Sequence, residues 1–381
     1  MTPEANAQAR PLFEQALALD PQYAEAYASL SLTYWLEWAL HWSADPQSLE
    51  RALALAQQAV ALDDSLPIAH SSLSWAYAGT QQYDQALAEG ERAIALDPNN
   101  ADSYAHQAQA LLLAGRSEDA LRLMEQAMRL NPRYPPWYLF ELGWAYRITG
   151  RYAEAVATLK EAISRGPYFL PAHVNLASSY LWQWVAQQSP AAQTLKPAVA
   201  AVQRALALND SFHSSHIVLG FIYLYQQQYE QALVEMERAV ELAPTEAGSY
   251  AFLAEVLSRM GRTEDALAAL AQALRLKSDT ADDHLASVGA AYGVAGRYAE
   301  ARAPLQRFLS RYPHMLHAHL VLAAVYSELG QTAEARAEAA EVLRLNPQFS
   351  LEVHRQREPI KDPAVLERHL AALRKAVVLS W

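Results

Sequence analysis

The stretch QQYDQALAEGERA at residues 81–93 returns as QQYEQALVEMERA at residues 227–239, a shift of 146 positions. GRYAEA obeys the same shift, at 150–155 and again at 296–301, and so do Pro21, Pro167 and Pro313. Between these prolines the equivalent positions are Asp64, Pro98 and Pro132, then Asp210, Pro244 and Ser278, so intervals of 43, 34, 34 and 35 residues occur twice. The spacing implies a four-unit block copied in tandem. A unit near 34 residues predicts stacked helix pairs sharing one continuous core, in place of a compact globule.

With the closing proline at position 32 of each unit, apolar residues at three- and four-residue spacing predict helix A over about positions 1 to 14 and helix B over about 17 to 30. Position 20 is alanine in all nine units, at Ala52, Ala86, Ala120, Ala155, Ala198, Ala232, Ala266, Ala301 and Ala335, where only a small side chain lets helix A come close. Position 8 is small throughout, as at Gly143, Gly220 and Gly289, while position 11 is tyrosine or leucine. Glycines 115, 150, 261, 296 and 330 fall in the turn after helix A, where a left-handed C′ residue is expected. Proline at position 32 is expected to stop helix B, because it supplies no amide to the next turn.

The L-G-x-x-Y, A-x3-F and P pattern resembles the tetratricopeptide repeat family over nearly the whole chain. The resemblance implies an all-α, right-handed superhelical solenoid with the A helices lining a concave side. The expected organisation is an orphan helix B over residues 1–22 and nine units over 23–347. The units form blocks at 22–167 and 168–313 plus one more at 314–347, and residues 348–381 form a cap with a helix at 363–376. The opening helix lacks its helix A, so a partner domain or chain is expected over its apolar face. Three stretches, TPEANAQARPLFEQALALDPQYAEAYASLSLTYWLEW, NPRYPPWYLFELGWAYRITGRYAEA and NPQFSLEVHRQREPIKDPAVLERHLAALRKA, resemble the arrays that follow the catalytic domain of bacterial adenylate and guanylate cyclases. No cyclase catalytic domain is present in the sequence, and the VVLSW ending departs from those arrays.

By the same resemblance, positions 2, 5, 9, 12 and 13 of helix A face the groove. They hold Trp35, Trp75, Trp137, Phe140, Trp144, Trp182, Ile217, Phe221 and Tyr225, an apolar, aromatic set suited to a protein or peptide segment with aliphatic anchors. Arg147 and Arg259, in the last turn of helix A, are candidates for an acidic group on that segment, or for a local carboxylate. Units one and five each carry nine extra residues, expected to lengthen their helices by about one turn. Trp38, Trp42 and Trp184 on these insertions form either a protruding lip or a cover for the longer helix B at Leu49, Leu53 and Leu195. The Lys, Asn and Arg clamp that some relatives use on chaperone tails is absent, since helix A has no lysine in any unit.

Chemistry is hard to find. No GxSxG, HExxH, Walker or dinucleotide glycine pattern occurs, and there is no cysteine to act as nucleophile or metal ligand. His70, His173, His216 and His319 share position 4, which gives them a structural role, and the His314, His317 and His319 group does not gather on one helix side as a metal site would. Neither a cofactor nor a metal is expected. A net charge of -11 disfavours nucleic acid. With neither a leader nor an apolar run of about 18 residues, the chain reads as cytoplasmic, with no membrane span. The expected function is a non-catalytic interaction scaffold in bacterial signalling or regulation. The alternatives are a small-molecule sensor, for example within a cyclase, and less readily an enzyme on a repeat scaffold.

Overall fold

The structure is a computed structural model and describes residues 3–40, 42, 45, 47–276 and 284–377. All regular structure in these residues is helical. The first helices are α1 (Pro3–Leu19), α2 (Ala24–Ala39), α3 (Ser48–Leu62), α4 (Pro67–Gly79), α5 (Tyr83–Leu96), α6 (Ala101–Leu113) and α7 (Ser117–Leu130). They are followed by α8 (Pro136–Ile148), α9 (Tyr152–Arg165), α10 (Leu170–Val185), α11 (Ala191–Leu208), α12 (His213–Tyr225), α13 (Tyr229–Leu242) and α14 (Ala247–Arg259). The last are α15 (Thr263–Leu276), α16 (Leu285–Val294), α17 (Tyr298–Arg311), α18 (Leu316–Glu328), α19 (Thr332–Leu345), α20 (Leu351–Arg357) and α21 (Pro363–Val377). Even-numbered helices up to α18 are A helices and odd-numbered ones up to α19 are B helices. Ser278 and the end of the VVLSW tail lie outside the described residues. Among the described residues, no helix is long and apolar enough to cross a membrane.

The helices gather into two compact units. One comprises Met1–Tyr146 with Thr158–Ala172, and in it α2 packs on α3, α4 on α5 and α6 on α7. The other comprises Arg147–Ala157 with His173–Trp381, where α12 and α13, α14 and α15, α16 and α17, and α18 and α19 make the pairs. Within each unit every A helix also touches the next A helix, so the A helices form a layer of their own. In the first unit α1 packs on α2, with Arg10 paired to Glu37 at 2.8 Å and lying over the Tyr34 ring, while Leu12 and Leu19 stay exposed.

The pairing depends on small residues. All nine position-20 alanines are at most 1% exposed. A Cβ on Gly143 would lie 2.6 Å from Leu159 Cγ, and one on Gly289 would lie 2.4 Å from Leu305 Cγ, so the leucine of helix B occupies the space that the glycine of helix A vacates. The five turn glycines all take a left-handed backbone, with φ from 73° to 81°. Gln81, Gln187 and Gln227 take the same conformation at three other turns. The insertions lengthen the A helices: α2 and α10 have 16 residues, against 13 for α4, α6, α8, α12, α14 and α18.

Helices α1, α3, α5, α7, α9, α11, α13, α15, α17 and α19 all end two residues before the closing position, whether that position is Pro98 or Asp64. Proline is therefore not what ends them all. At Asp20, Asp63, Asp97, Asn131, Asn209 and Asn346 the residue just before the closing position accepts the amide two residues on, at 2.9 to 3.1 Å, and so forms an Asx turn. The position-4 histidines bind the next atom of the same turn. His70 Nε2 lies 2.9 Å from the Asp64 carbonyl and Nδ1 2.6 Å from Glu89; His216 does the same with Asp210 and Glu235, and His319 with Pro313 and Glu338. At His173 the matching carboxylate position is Ala201.

Two outcomes follow from this packing. Gly143→Ala should cost about 1–3 kcal/mol in a denaturant melt, and adding Leu159→Ala should cost less than the two changes separately. Strict additivity would refute the close approach. Burial alone pushes the His216 imidazole down, but its bonds to Glu235 and to the Asp210 carbonyl raise it above its ordinary value of 6.5. The stability that His216 adds over His216→Gln should therefore be full below pH 6.5 and decline as pH rises through the raised value. A stability difference constant across mildly acidic and mildly alkaline buffer would contradict the pairing.

Candidate functional site

In the first unit the A helices carry a ladder of rings. Trp35 of α2 stacks on Trp75 of α4, with centroids 4.8 Å apart and planes at 20°. Trp75 meets His106 of α6 at 4.0 Å, and His106 stacks on Trp137 of α8 at 5.4 Å. Successive A helices thus each supply one ring. Trp35 and Trp75 bury each other, whereas Trp137, Phe140 and Trp144 remain partly exposed, with Phe140 set edge-on to Phe169.

One turn further along α6 and α8 from His106 and Trp137 lies a polar pair. Gln109 of α6 donates to Glu141 Oε1 at 2.9 Å, and Glu141 is 3% exposed, so burial pushes its carboxyl up to about 8. Burial also pushes His106 down to about 4, which leaves a neutral ring at neutral pH. Among the described residues, Trp35 Nε1, Trp75 Nε1, His106 Nδ1, Gln109 Oε1 and Glu141 Oε2 are buried with no hydrogen-bond partner. Groups of this kind are costly unless something satisfies them. His106, Gln109 and Glu141 were not among the expected site residues; the available signal was the single acid of PWYLFELGWAYRI in α8, about two turns before its single base, Arg147.

The second unit arranges its share differently. Trp182 approaches Phe221 at 6.4 Å, Tyr225 at 6.4 Å and His317 at 6.0 Å, with Ile217 partly exposed on α12. Across this A-helix face runs the chain's own segment 346–361. Asn346 Nδ2 donates to the Ala186 carbonyl at 2.8 Å, Gln187 and Ser350 exchange bonds of 2.8 and 2.9 Å, and the Lys361 amide donates to the Arg259 carbonyl at 2.8 Å. Arg357 lies over the Trp184 ring at 4.8 Å and donates to the Trp184 carbonyl.

Arg259 is the anchor. It is 1% exposed, bonds Glu255 at 3.0 Å, pairs with Glu358 of the segment and reaches His317 Nε2 at 3.1 Å. Burial works against the Glu358 charge, but the guanidinium holds this carboxyl well below its ordinary range. The acidic group met by Arg259 is therefore intramolecular. Arg147 turns to Asn175, its Nε donating to Oδ1 at 3.0 Å.

For Trp184 the protruding lip requires correction. Trp184 is 6% exposed and sits edge-on to Tyr225 at 6.0 Å, because the lengthened α10 receives segment 346–361 there. Trp38 and Trp42 are half-buried and pack with Trp35, Trp75 and Leu49, and Trp38 also lies against Gly79.

Glu141 gives a testable sign. Its raised value means that the folded chain holds a proton the unfolded chain releases, so stability falls as pH rises from about 4.5 to about 8. Glu141→Gln should be no less stable than wild type at pH about 8, with the advantage vanishing below pH about 4.5 in thermal melts. A difference independent of pH would place Glu141 in water.

Comparison with known proteins adds the family. Among curated proteins none matches the chain. The solved Cut9–Hcn1 hetero-tetramer of APC/C is similar at 18% identity over 96% of this chain and 73% of that one, with a TM-score of 0.52. The human IFIT1 dimer with m7Gppp-AAAA is similar at 15% identity over 84% and 72%, with a TM-score of 0.57. A thermophilic repeat protein of Thermus thermophilus, TTC0263, is similar at 24% identity over 53% and 98%, with a TM-score of 0.45. At these identities the likeness is one of fold. Tetratricopeptide repeat models match residues 67–100, 105–168, 223–289 and 295–355, more than half of the sequence, and the chain therefore belongs to the tetratricopeptide repeat family.

Proposed function

We propose that the chain is a non-catalytic scaffold that binds a protein or peptide segment on the A-helix face of its first unit. The observation that carries the reading is segment 346–361 on the second unit. There a face of this kind takes side-chain bonds to helix-end carbonyls, a main-chain bond to Arg259 and one acidic anchor. The first unit offers an aromatic surface in the partly exposed Trp137, Phe140 and Trp144, with buried polar atoms nearby that lack partners. Burying each ring contributes about 1.5–3 kcal/mol, so three or four aliphatic anchors support about micromolar binding after association costs.

The proposal extends to organisation and setting. Residues 22–167 and 168–313 are read as duplicated four-unit blocks, followed by one unit at 314–347, and the role as a regulatory one in the bacterial cytoplasm, in a cyclase-like context. Peptide arrays followed by calorimetry test the binding claim. A binder of about micromolar affinity should weaken at least tenfold on Trp137→Ala with Trp144→Ala, roughly one ring's contribution. An array without binders, or affinity untouched by both changes, defeats the proposal.

A further inference from the structure

Helices α20 and α21 bring three metal-ligating side chains to one point. His354 Nε2 and His369 Nε2 lie 3.2 Å apart, Glu358 Oε2 is 3.7 Å from His354 Nε2, and the three donor atoms all lie within 4.8 Å of one another. His354 and Glu358 are four residues apart around the end of α20, so they share a side, and α21 returns His369 to meet them. We propose that His354, Glu358 and His369 bind a divalent transition metal of the zinc class.

Distance supports this assignment. Two imidazole nitrogens, each about 2.0–2.1 Å from a tetrahedral metal, sit about 3.4 Å from each other, close to the separation found. The carboxylate is already oriented: Arg259, itself held by Glu255, takes Glu358 Oε1 and leaves Oε2 turned to the imidazoles. An outer partner of this kind is what fixes a ligand's direction at metal sites. Charge permits a cation, since Glu255 and Glu358 together exceed Arg259 by one negative charge. A cleft lined by Glu358, His369, Arg368, Tyr298 and Glu328 reaches two of the three ligands and offers a route in. Two nitrogen donors with a single oxygen suit zinc, cobalt or nickel and not calcium or magnesium, which need mostly oxygen.

The consequence is structural control. A metal here joins α20 to α21 and, through Glu358 and Arg259, fastens both to α14. Segment 346–361 would then hold the second unit's A-helix face more tightly when metal is bound. The site is independent of the binding proposed for the first unit.

Calorimetric titration of the chelator-stripped full chain with zinc, and visible spectra with cobalt, test it. One equivalent should bind, and the first thermal transition should rise with metal. His354→Gln, His369→Gln and Glu358→Gln should each weaken binding at least about tenfold, while His106→Gln changes nothing. Absence of stoichiometric binding overturns the site, as does binding that keeps its affinity in the His354→Gln, His369→Gln double variant. Should that variant fail to fold, His369→Gln alone decides, because His369 is only partly buried.

Discussion

The close approach of helix A to helix B governs everything else in this chain. A fully buried alanine on one helix faces a glycine, serine or alanine on the other, and a leucine or methionine fills the gap beside them. A larger side chain at either small position would separate the pair and tilt each following helix, since within a unit every A helix also packs on its successor. Where position 8 is serine, the close approach also makes a bond: Ser31 and Ser74 donate to the carbonyls of Ala52 and Ala86 at 2.7 Å. The rings of the ladder meet because this spacing brings α2, α4, α6 and α8 into line.

Polar groups are satisfied in different ways along the array. The turns between units are satisfied locally, by Asx side chains and by the paired histidines. At the carboxyl end of the long helix α10, local bonds from the Ala186, Gln187 and Gln188 amides are supplemented from far away by Asn346 and Arg357, which meet the Ala186 and Trp184 carbonyls. Among the described residues of the first unit, Trp35, Trp75, His106, Gln109 and Glu141 each keep a buried polar atom without a partner, as Trp184, Tyr225 and His317 do in the second. What distinguishes the second unit's A-helix face is the chain's own segment 346–361 bonded to it.

What could be read from the residues in order was whatever repeats and whatever is local. The helix pairs, the alanine column and the left-handed glycines recur at fixed spacing, because each unit must solve the same packing problem with its nearest neighbours. His106 could not be read as part of an aromatic ladder, since it becomes one only when α6 places it between Trp75 and Trp137. Trp184 looked like a free lip for a similar reason: its cover, Arg357, lies 173 residues further on.

The sequence by itself determined the all-helical repeat and its small-against-large pairing, since those follow from side-chain volume at short range. Only the tertiary structure decided which A-helix face is filled, where Arg259 finds its carboxylate, and that His354, Glu358 and His369 converge. These outcomes depend on the chain returning across its own helices, and contacts between distant residues leave no periodic trace in the order of the residues.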